Sequence, residues 1–263
     1  MRTLNKSKIE WCGSTWNPVT GCLHGCDYCY AKKIANRFSL CSCVPDGKPH
    51  ELNEPKRRDN SPGGDFDTPK YILDPYPYKF DPTFHRYRLD EPSQKTKSQN
   101  IFVCSMADLF GDWVPDEWIS EVMNKCCYAD QHRYLFLTKN PKRYYQLGNM
   151  LCKEKHCWYG ITIENQETYL KRARETKAIP GLNLFLSIEP LQGNIELYPF
   201  TLKVVKWVIV GAETGPGAKP PQPEWVQSII NQCRDAGIPL FLKNNLNWPM
   251  KIQEYPWEKE KAK

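Results

Sequence analysis

The chain has 263 residues, of which 40% are hydrophobic and 25% charged, and it carries a formal net charge of +6. This composition excludes a disordered or fibrous chain, and no apolar run reaches the length of a membrane-spanning helix, so no membrane association is expected. The positive charge is compatible with an anionic partner such as a nucleic acid, although the basic residues do not gather in one block.

The first predicted elements are a strand over residues 15–20, a loop rich in cysteine, and a helix over residues 30–38. The loop carries Cys22, Cys26 and Cys29 with the spacing C-x3-C-x2-C. Three thiolates on one short loop can hold three corners of a metal centre, and an iron–sulfur cube held this way keeps one iron open. Such an open iron is available to a group that is not protein.

The other cysteines are less informative. The polar first ten residues lack the apolar core of a signal peptide, so we expect a reducing cytoplasm, where clustered cysteines bind metal more often than they pair. Three cysteines with apolar neighbours are predicted to be small buried hydrophobic residues: Cys104, Cys157 and Cys233. No role is predicted for Cys12, Cys126, Cys127 and Cys152, and Cys41 with Cys43 would need distant partners to form a second metal site.

Residues 41–99 differ from the rest of the chain because they contain nine prolines and many charges. Proline at this density forbids long helices and central strands, so we predict an irregular, partly exposed insertion with one edge strand near residues 76–80. The insertion is either a surface loop or a lid on the substrate side.

After residue 100, short apolar strands alternate with helical stretches. Strands are predicted at 101–105, 134–138, 158–163, 183–188, 207–211 and 239–243, and helices at 115–127, 141–151, 166–177 and 223–236. Continuous apolar runs are typical of parallel strands that are buried on both faces. With the first strand this makes seven, and we predict an α/β fold, a partial (β/α)6 TIM-like barrel within a single domain over residues 1–263.

Polar residues follow almost every predicted strand, at the end where such folds place their active sites. The candidates that can meet there are Ser105, Asp108, Lys139, Glu164, Glu189, Gly211, Glu213 and Lys243. Any one of them has a structural alternative as a polar strand end or a helix cap, as Asn140 before Pro141 illustrates. The glycine-rich segment after Gly211 either approaches a ligand closely or forms a plain turn. Taken together, the set favours a polar ligand.

The cysteine loop resembles the signature of the radical S-adenosylmethionine (SAM) superfamily. More widely, the chain resembles an uncharacterised, phage-associated family with a three-cysteine motif, through the segments Glu10-Trp11, Thr15 to Cys22, Gly25 to Ala31, Ser105 to Phe110, Leu137 to Lys139, Ser187 to Leu191 and Trp207 to Glu213. The segments span nearly the whole chain except the insertion. Many family members space the first two cysteines more widely than this chain does.

The resemblance implies that Cys22, Cys26 and Cys29 ligate a [4Fe–4S] cluster whose fourth iron binds SAM. Reductive cleavage of SAM would yield a 5′-deoxyadenosyl radical that abstracts hydrogen from the substrate, with the electron coming from an external donor of the flavodoxin or ferredoxin type. Tyr28 would pack near the adenine. The other residues expected at SAM are Ser105, Glu164, Glu189, Gly211 and Glu213, and those expected at the substrate are Asp108, Lys139 and Lys243.

Two alternatives stay open at this point. One is a structural zinc module with a nucleic-acid-binding role, in which His24 or Cys12 joins the three cysteines as fourth ligand. The other accepts radical chemistry but leaves the substrate undecided. A nucleic acid or nucleotide fits the charge, and a peptide or small metabolite is equally compatible with the absence of a recognisable nucleic-acid-binding motif.

Overall fold

The computed structural model describes residues 4–59, 71–176 and 180–259. The strands in this part of the chain are β1 (Asn5–Lys6), β2 (Ser14–Trp16), β3 (Val19–Thr20), β4 (His50–Leu52), β5 (Arg57–Asp59), β6 (Tyr71–Leu73), β7 (Thr83–His85), β8 (Asn100–Val103), β9 (Arg133–Thr138), β10 (Cys157–Ile163), β11 (Asn183–Ile188), β12 (Val205–Val210) and β13 (Leu240–Leu242). The α-helices are α1 (Tyr30–Phe38), α2 (Asp116–Tyr128), α3 (Lys142–Leu147), α4 (Gln166–Thr176), α5 (Pro199–Val204), α6 (Pro223–Asp235) and α7 (Pro256–Lys259). Of the described helices, none combines the length and the apolar character that crossing a bilayer requires.

Eight strands form the main sheet, in the order β1-β2-β8-β9-β10-β11-β12-β13. All neighbours pair in parallel except β1 and β2, and each parallel strand lies beside the next one of the sheet along the chain. Six of the seven parallel strands correspond to those predicted from apolar runs, and the seventh, β2, is only the first half of the strand predicted over residues 15–20, whose second half is β3 of another sheet. The predicted mixed α/β architecture with a largely parallel sheet is therefore confirmed.

The predicted barrel is not confirmed, because no sheet closes within the described residues. The outer edge of β13 pairs with residues 252–254 instead of with the first strands: the Leu242 amide donates to the Ile252 carbonyl at 2.7 Å and the Glu254 amide donates to the Leu240 carbonyl at 3.0 Å. Closure would need those same backbone groups for another strand. Apolar patterning predicts strands but says nothing about which segment covers the last edge.

The sheet has two differently packed faces. One face packs with α2, α3, α4 and α6 in the largest apolar core. The opposite face, which we call the inner face, carries an aromatic cluster with apolar neighbours. The cluster is made of Trp11, Phe102, Trp158, Phe185, Trp207, Phe241 and Trp257. Gly160 lies on this face, where a Cβ atom would come within 2.3 Å of the Phe185 ring. The glycine therefore gives Phe185 the room to fill the inner face, and the space towards the strand ends stays open.

The insertion is more regular than its composition predicts. β7 pairs with β3 and β4 in a three-stranded sheet, and β5 pairs with β6. The prediction of an edge strand near residues 76–80 is wrong, because this segment is a turn in which Lys79 has a φ of 54°. Pro75 and Pro77 lack the amide hydrogens that a strand ladder needs, which explains the turn. Residues 60–70 of the insertion lie outside the described residues.

Candidate active site at the carboxyl ends of the strands

The cysteine loop is held between the main sheet and the insertion. The Gly21 amide donates to the Met106 carbonyl at 2.8 Å, and the Cys22 amide donates to the Phe80 carbonyl at 3.1 Å. Gly21 has a φ of 89°, and a Cβ atom there would lie 2.1 Å from the Asp81 carbonyl oxygen. Only glycine fits this conformation and this space, so the backbone that leads into Cys22 is held in a fixed position.

Asp108 fastens the middle of the loop to the strand ends. Its carboxylate hydrogen-bonds His24 Nε2 at 2.7 Å and accepts from Thr138 Oγ1 at 2.8 Å, from the Lys139 amide at 2.9 Å and from the Phe110 amide at 3.0 Å. The side chain is buried. A carboxylate with four donors is already satisfied, so Asp108 joins β8, β9 and the loop rather than presenting a free charge.

A buried charge network fastens the end of the loop. Tyr28 Oη donates to Glu164 Oε1 at 2.6 Å, and Arg172 donates to Glu164 Oε2 at 2.8 Å. Lys139 Nζ donates to the Tyr28 hydroxyl and also forms an ion pair with Glu164. Burial alone would raise the pKa of Glu164, but the two cations outweigh burial and lower it. Burial and the Glu164 carboxylate raise the pKa of Tyr28, which stays a hydroxyl donor.

The three cysteines line one cavity together with Tyr28, Ser105 and other strand-end residues. Cys29 also caps α1, since its sulfur accepts from the Lys32 amide at 3.4 Å. Burial raises the pKa of Cys22 to about 12 and raises that of Cys26, so metal loading must displace protons from both thiols.

The spread of the three sulfurs bears on which group they hold. Two groups of described Cys, His, Asp and Glu side chains have ligand atoms that all lie within 4.8 Å of one another, and neither group contains Cys22, Cys26 or Cys29. Ligand atoms around one tetrahedral zinc ion lie only about 4 Å apart. At least one pair of the Cys22, Cys26 and Cys29 sulfurs is therefore more than 4.8 Å apart, which is wider than the spacing around one zinc ion. Of the two proposed fourth zinc ligands, the Cys12 thiol lies 3.3 Å from Ser7 Oγ, and His24 hydrogen-bonds Asp108 through Nε2, which engages one of its two ring nitrogens.

A second cavity of about 360 Å³ opens over the inner face of the sheet and shares Tyr28, Lys139 and other lining residues with the first. Trp11 Nε1 is buried here without a hydrogen-bond partner among the described residues, and Glu189 Oε1 is buried with an ion-pair partner, Lys243. Lys243 Nζ lies 3.3 Å from Glu189 Oε1 as an ion pair. Burial raises the pKa of Glu189 despite the opposing effect of Lys243. Unsatisfied polar atoms in a cavity are available to a polar ligand.

The remaining predicted residues lie nearby with separate contacts. Ser105 Oγ donates to Asn17 Oδ1 at 3.1 Å, and Ser105 lines the cysteine cavity. Glu213 lines the second cavity and an adjoining polar groove that Glu164 also lines. Gly211 lines none of these three cavities: a Cβ atom there would lie 2.8 Å from Glu189 Oε1, so the glycine admits the Glu189 side chain. All the other predicted site residues line the adjoining cavities.

Two side chains at the candidate site are not predicted from the sequence. Arg172 lies on α4, eight residues after Glu164, and no local motif connects the two. Trp11 belongs to a segment that carries the family resemblance, yet its indole nitrogen faces the cavity only because the β1–β2 turn reaches the inner face. Proximity across the fold, rather than spacing along the chain, brings both residues to the site.

Comparison with known proteins identifies one family. The family model described as "Protein of unknown function (DUF5131)" matches residues 6–262. No curated protein matches the chain.

Among solved structures, the fold is similar to a mutant spore photoproduct lyase with bound AdoMet and dinucleoside spore photoproduct, at 11% identity and a TM-score of 0.44, covering 91% of this chain and 58% of that one. A spore photoproduct lyase complexed with dinucleoside spore photoproduct also has 11% identity and a TM-score of 0.44, covering 80% of this chain and 58% of that one. The chain therefore spans less than three fifths of the length of these lyase chains.

Proposed function

The chain belongs to the DUF5131 family, and we propose that it is a radical SAM enzyme that acts on a nucleic acid or nucleotide. The observation that carries the proposal is the position of the three-cysteine loop. The loop is clamped to the carboxyl ends of a parallel sheet, and its thiols line a cavity that adjoins unsatisfied polar atoms. The phage association and the cytoplasmic location stay predictions from the sequence.

Cys22, Cys26 and Cys29 would hold a [4Fe–4S] cluster, because the three cysteines line one cavity and their thiolates can supply three corners of a cube. With SAM on its open iron and an electron from a flavodoxin- or ferredoxin-type donor, the cluster would supply a 5′-deoxyadenosyl radical for hydrogen abstraction. The protein's contribution is to hold the loop in place, through Gly21, the Asp108 bonds and the Tyr28–Glu164 network.

The second cavity supports a binding place for SAM. Glu189 presents a buried carboxylate beside Lys243, and the remaining lone pairs of its oxygens would suit an ammonium or a ribose hydroxyl. Ser105, Glu164 and Glu213 line the adjoining cavities and would complete the contacts. Gly211 would act indirectly, by admitting Glu189 to its position.

The three residues expected at the substrate divide into two kinds. Lys243 faces the second cavity and keeps a role at the substrate. Asp108 and Lys139 are engaged by the cysteine loop and its partners, so we propose them as positioning residues for the loop. Substitution at Asp108 should then change the integrity of the cluster before it changes substrate affinity.

The test of the enzyme class is anaerobic reconstitution with iron and sulfide. The wild-type chain should turn brown and release 5′-deoxyadenosine from SAM with dithionite, whereas the Cys22→Ala, Cys26→Ala, Cys29→Ala triple variant should do neither. Cys233→Ala, which removes a buried thiol of α6, is the matched control and should behave as wild type. A colourless chain that holds zinc at the loop would instead support the zinc module.

The nucleic-acid substrate class is supported by the net charge of +6 and needs its own test. Binding of a single-stranded oligonucleotide to the reconstituted enzyme should weaken steeply as salt rises, because released counterions drive phosphate contacts. Affinity that is insensitive to salt, or stimulation of 5′-deoxyadenosine release by peptides alone, would exclude this class and leave the enzyme class intact.

A further inference from the structure

A second group of metal-binding side chains lies at the opposite end of the sheet from the cysteine loop. Cys152, His156 and Cys157 have ligand atoms that all lie within 4.8 Å of one another. Cys157 is the first residue of β10, so the group is at the amino ends of the parallel strands, away from the candidate active site. The sequence context of Cys157 predicts a small buried hydrophobic residue. Cys157 is buried, but it lies among other side chains that can bind a metal.

A fourth ligand comes from α2. Cys127, the second-last residue of that helix, places its thiol in hydrogen-bonding contact with Cys152. Cys152 and Cys157 are 4% and 1% exposed, whereas Cys127 is exposed. The group thus has a buried side made by two thiols and a solvent-facing side through which an ion can arrive.

The histidine is already oriented for coordination. His156 Nε2 lies 3.1 Å from the Cys126 carbonyl oxygen, which can only accept, so Nε2 carries the hydrogen and Nδ1 keeps its lone pair. A ligating histidine typically donates its other ring N–H to a carbonyl or carboxylate in this way, which fixes the tautomer and the ring orientation. The helix that supplies Cys127 therefore also supplies the backbone oxygen that orients His156.

We propose that Cys127, Cys152, His156 and Cys157 form a structural zinc site. The ligand atoms of Cys152, His156 and Cys157, which lie within 4.8 Å of one another, can close on a Zn–S distance of about 2.3 Å with small side-chain adjustments. A movement of the exposed Cys127 side chain towards them would complete a tetrahedral Cys3His shell. The soft, sulfur-rich donor set selects Zn²⁺ over Mg²⁺ or Ca²⁺. The ion would join the end of α2, the segment after α3 and the start of β10.

The site is independent of the radical SAM proposal, so its test separates the two. Anaerobically purified chain should contain about one zinc per molecule by mass spectrometry, in addition to any iron. The triple variant at Cys22, Cys26 and Cys29 should lose the iron and keep the zinc. Cys152→Ser and His156→Ala should lose the zinc, and Cys233→Ala should keep it.

A second measurement keeps the test decisive if the ligand variants fold poorly. Co²⁺ added anaerobically to the metal-depleted triple variant should give the visible bands of tetrahedral cobalt with thiolate charge transfer, and one equivalent of Zn²⁺ should abolish them. A chain with less than ~0.2 zinc that also gives no cobalt bands would overturn the proposal. The proposal would equally be overturned if the triple substitution removed the zinc, if the Cys152 group held iron, or if a disulfide formed within that group.

Discussion

Glu164 offers the sharpest test of how the cysteine loop is held. Its buried carboxylate faces Lys139 and Arg172, whose side chains are only 18% and 15% exposed. Glu164→Gln preserves the size of the side chain and an oxygen that can accept from Tyr28. The substitution removes only the negative charge and leaves the two half-buried cations facing each other.

The expected cost follows from that geometry. Breaking a buried ion pair by removing one partner destabilises proteins by 3–5 kcal/mol, and the retained amide oxygen places this variant near the lower end, at about 3 kcal/mol. With an m-value of about 3 kcal/mol/M for urea, the unfolding midpoint should fall by about 1 M. Glu213→Gln is the matched control because, among the described residues, Glu213 forms no ion pair, and its midpoint should stay within ~0.2 M of wild type.

The pH dependence supplies an independent check. The folded pKa of Glu164 is lowered from 4.5, so its stabilisation is fully present above pH 4.5 and is lost as the pH falls through the folded pKa. Urea unfolding of the metal-free chain can be followed by tryptophan fluorescence. The difference in unfolding free energy between wild type and Glu164→Gln should be complete at pH 7 and should become smaller as the pH is lowered. A difference below ~0.5 kcal/mol at pH 7, or one that is the same at all pH values, would refute the network as an anchor.

Other substitutions test the close backbone approaches and the second cavity. Gly21→Ala should cost about 4 kcal/mol in urea unfolding because its Cβ meets a carbonyl oxygen at 2.1 Å, whereas Gly25→Ala has open space and should cost about 1 kcal/mol; equal losses would contradict the packing. Gly160→Ala should cost about 2 kcal/mol by crowding the Phe185 ring, and adding Phe185→Leu should restore part of that stability rather than add a further loss. Glu189→Gln should weaken SAM binding to the reconstituted enzyme about tenfold in equilibrium dialysis, and an unchanged Kd would remove Glu189 from the SAM site.

The sequence predicts the strands well because each is a short continuous apolar run bounded by polar residues. It predicts the insertion poorly, because β4 and β7 are only three residues long and the pairing of β7 with β3 and β4 depends on segments far apart in the chain. Helix α3 is shorter than predicted for a local reason: Gly148 adopts a φ of 51° and ends the regular helix after Leu147.

The sequence predicts which residues gather at the candidate site better than it predicts what each residue does there. Polar residues at the ends of parallel strands must share one edge, so their gathering follows from the strand assignment alone. Whether a carboxylate there is free or already satisfied depends on neighbours from other elements. Asp108 accepts from four donors, whereas Glu189 has an ion pair with Lys243 in the second cavity, and nothing adjacent to either residue in the chain distinguishes them.

By itself, the sequence determined the parallel α/β architecture and the three-thiol loop, because apolar runs and ligand spacing are local properties of a chain. Only the tertiary structure decided that residues 252–254 cover the last strand, that Arg172 completes the Glu164 network, and that Cys152, His156 and Cys157 come together with Cys127 beside Cys152. Each of these depends on distances between segments that are separated in the chain and are brought together by burial of the core.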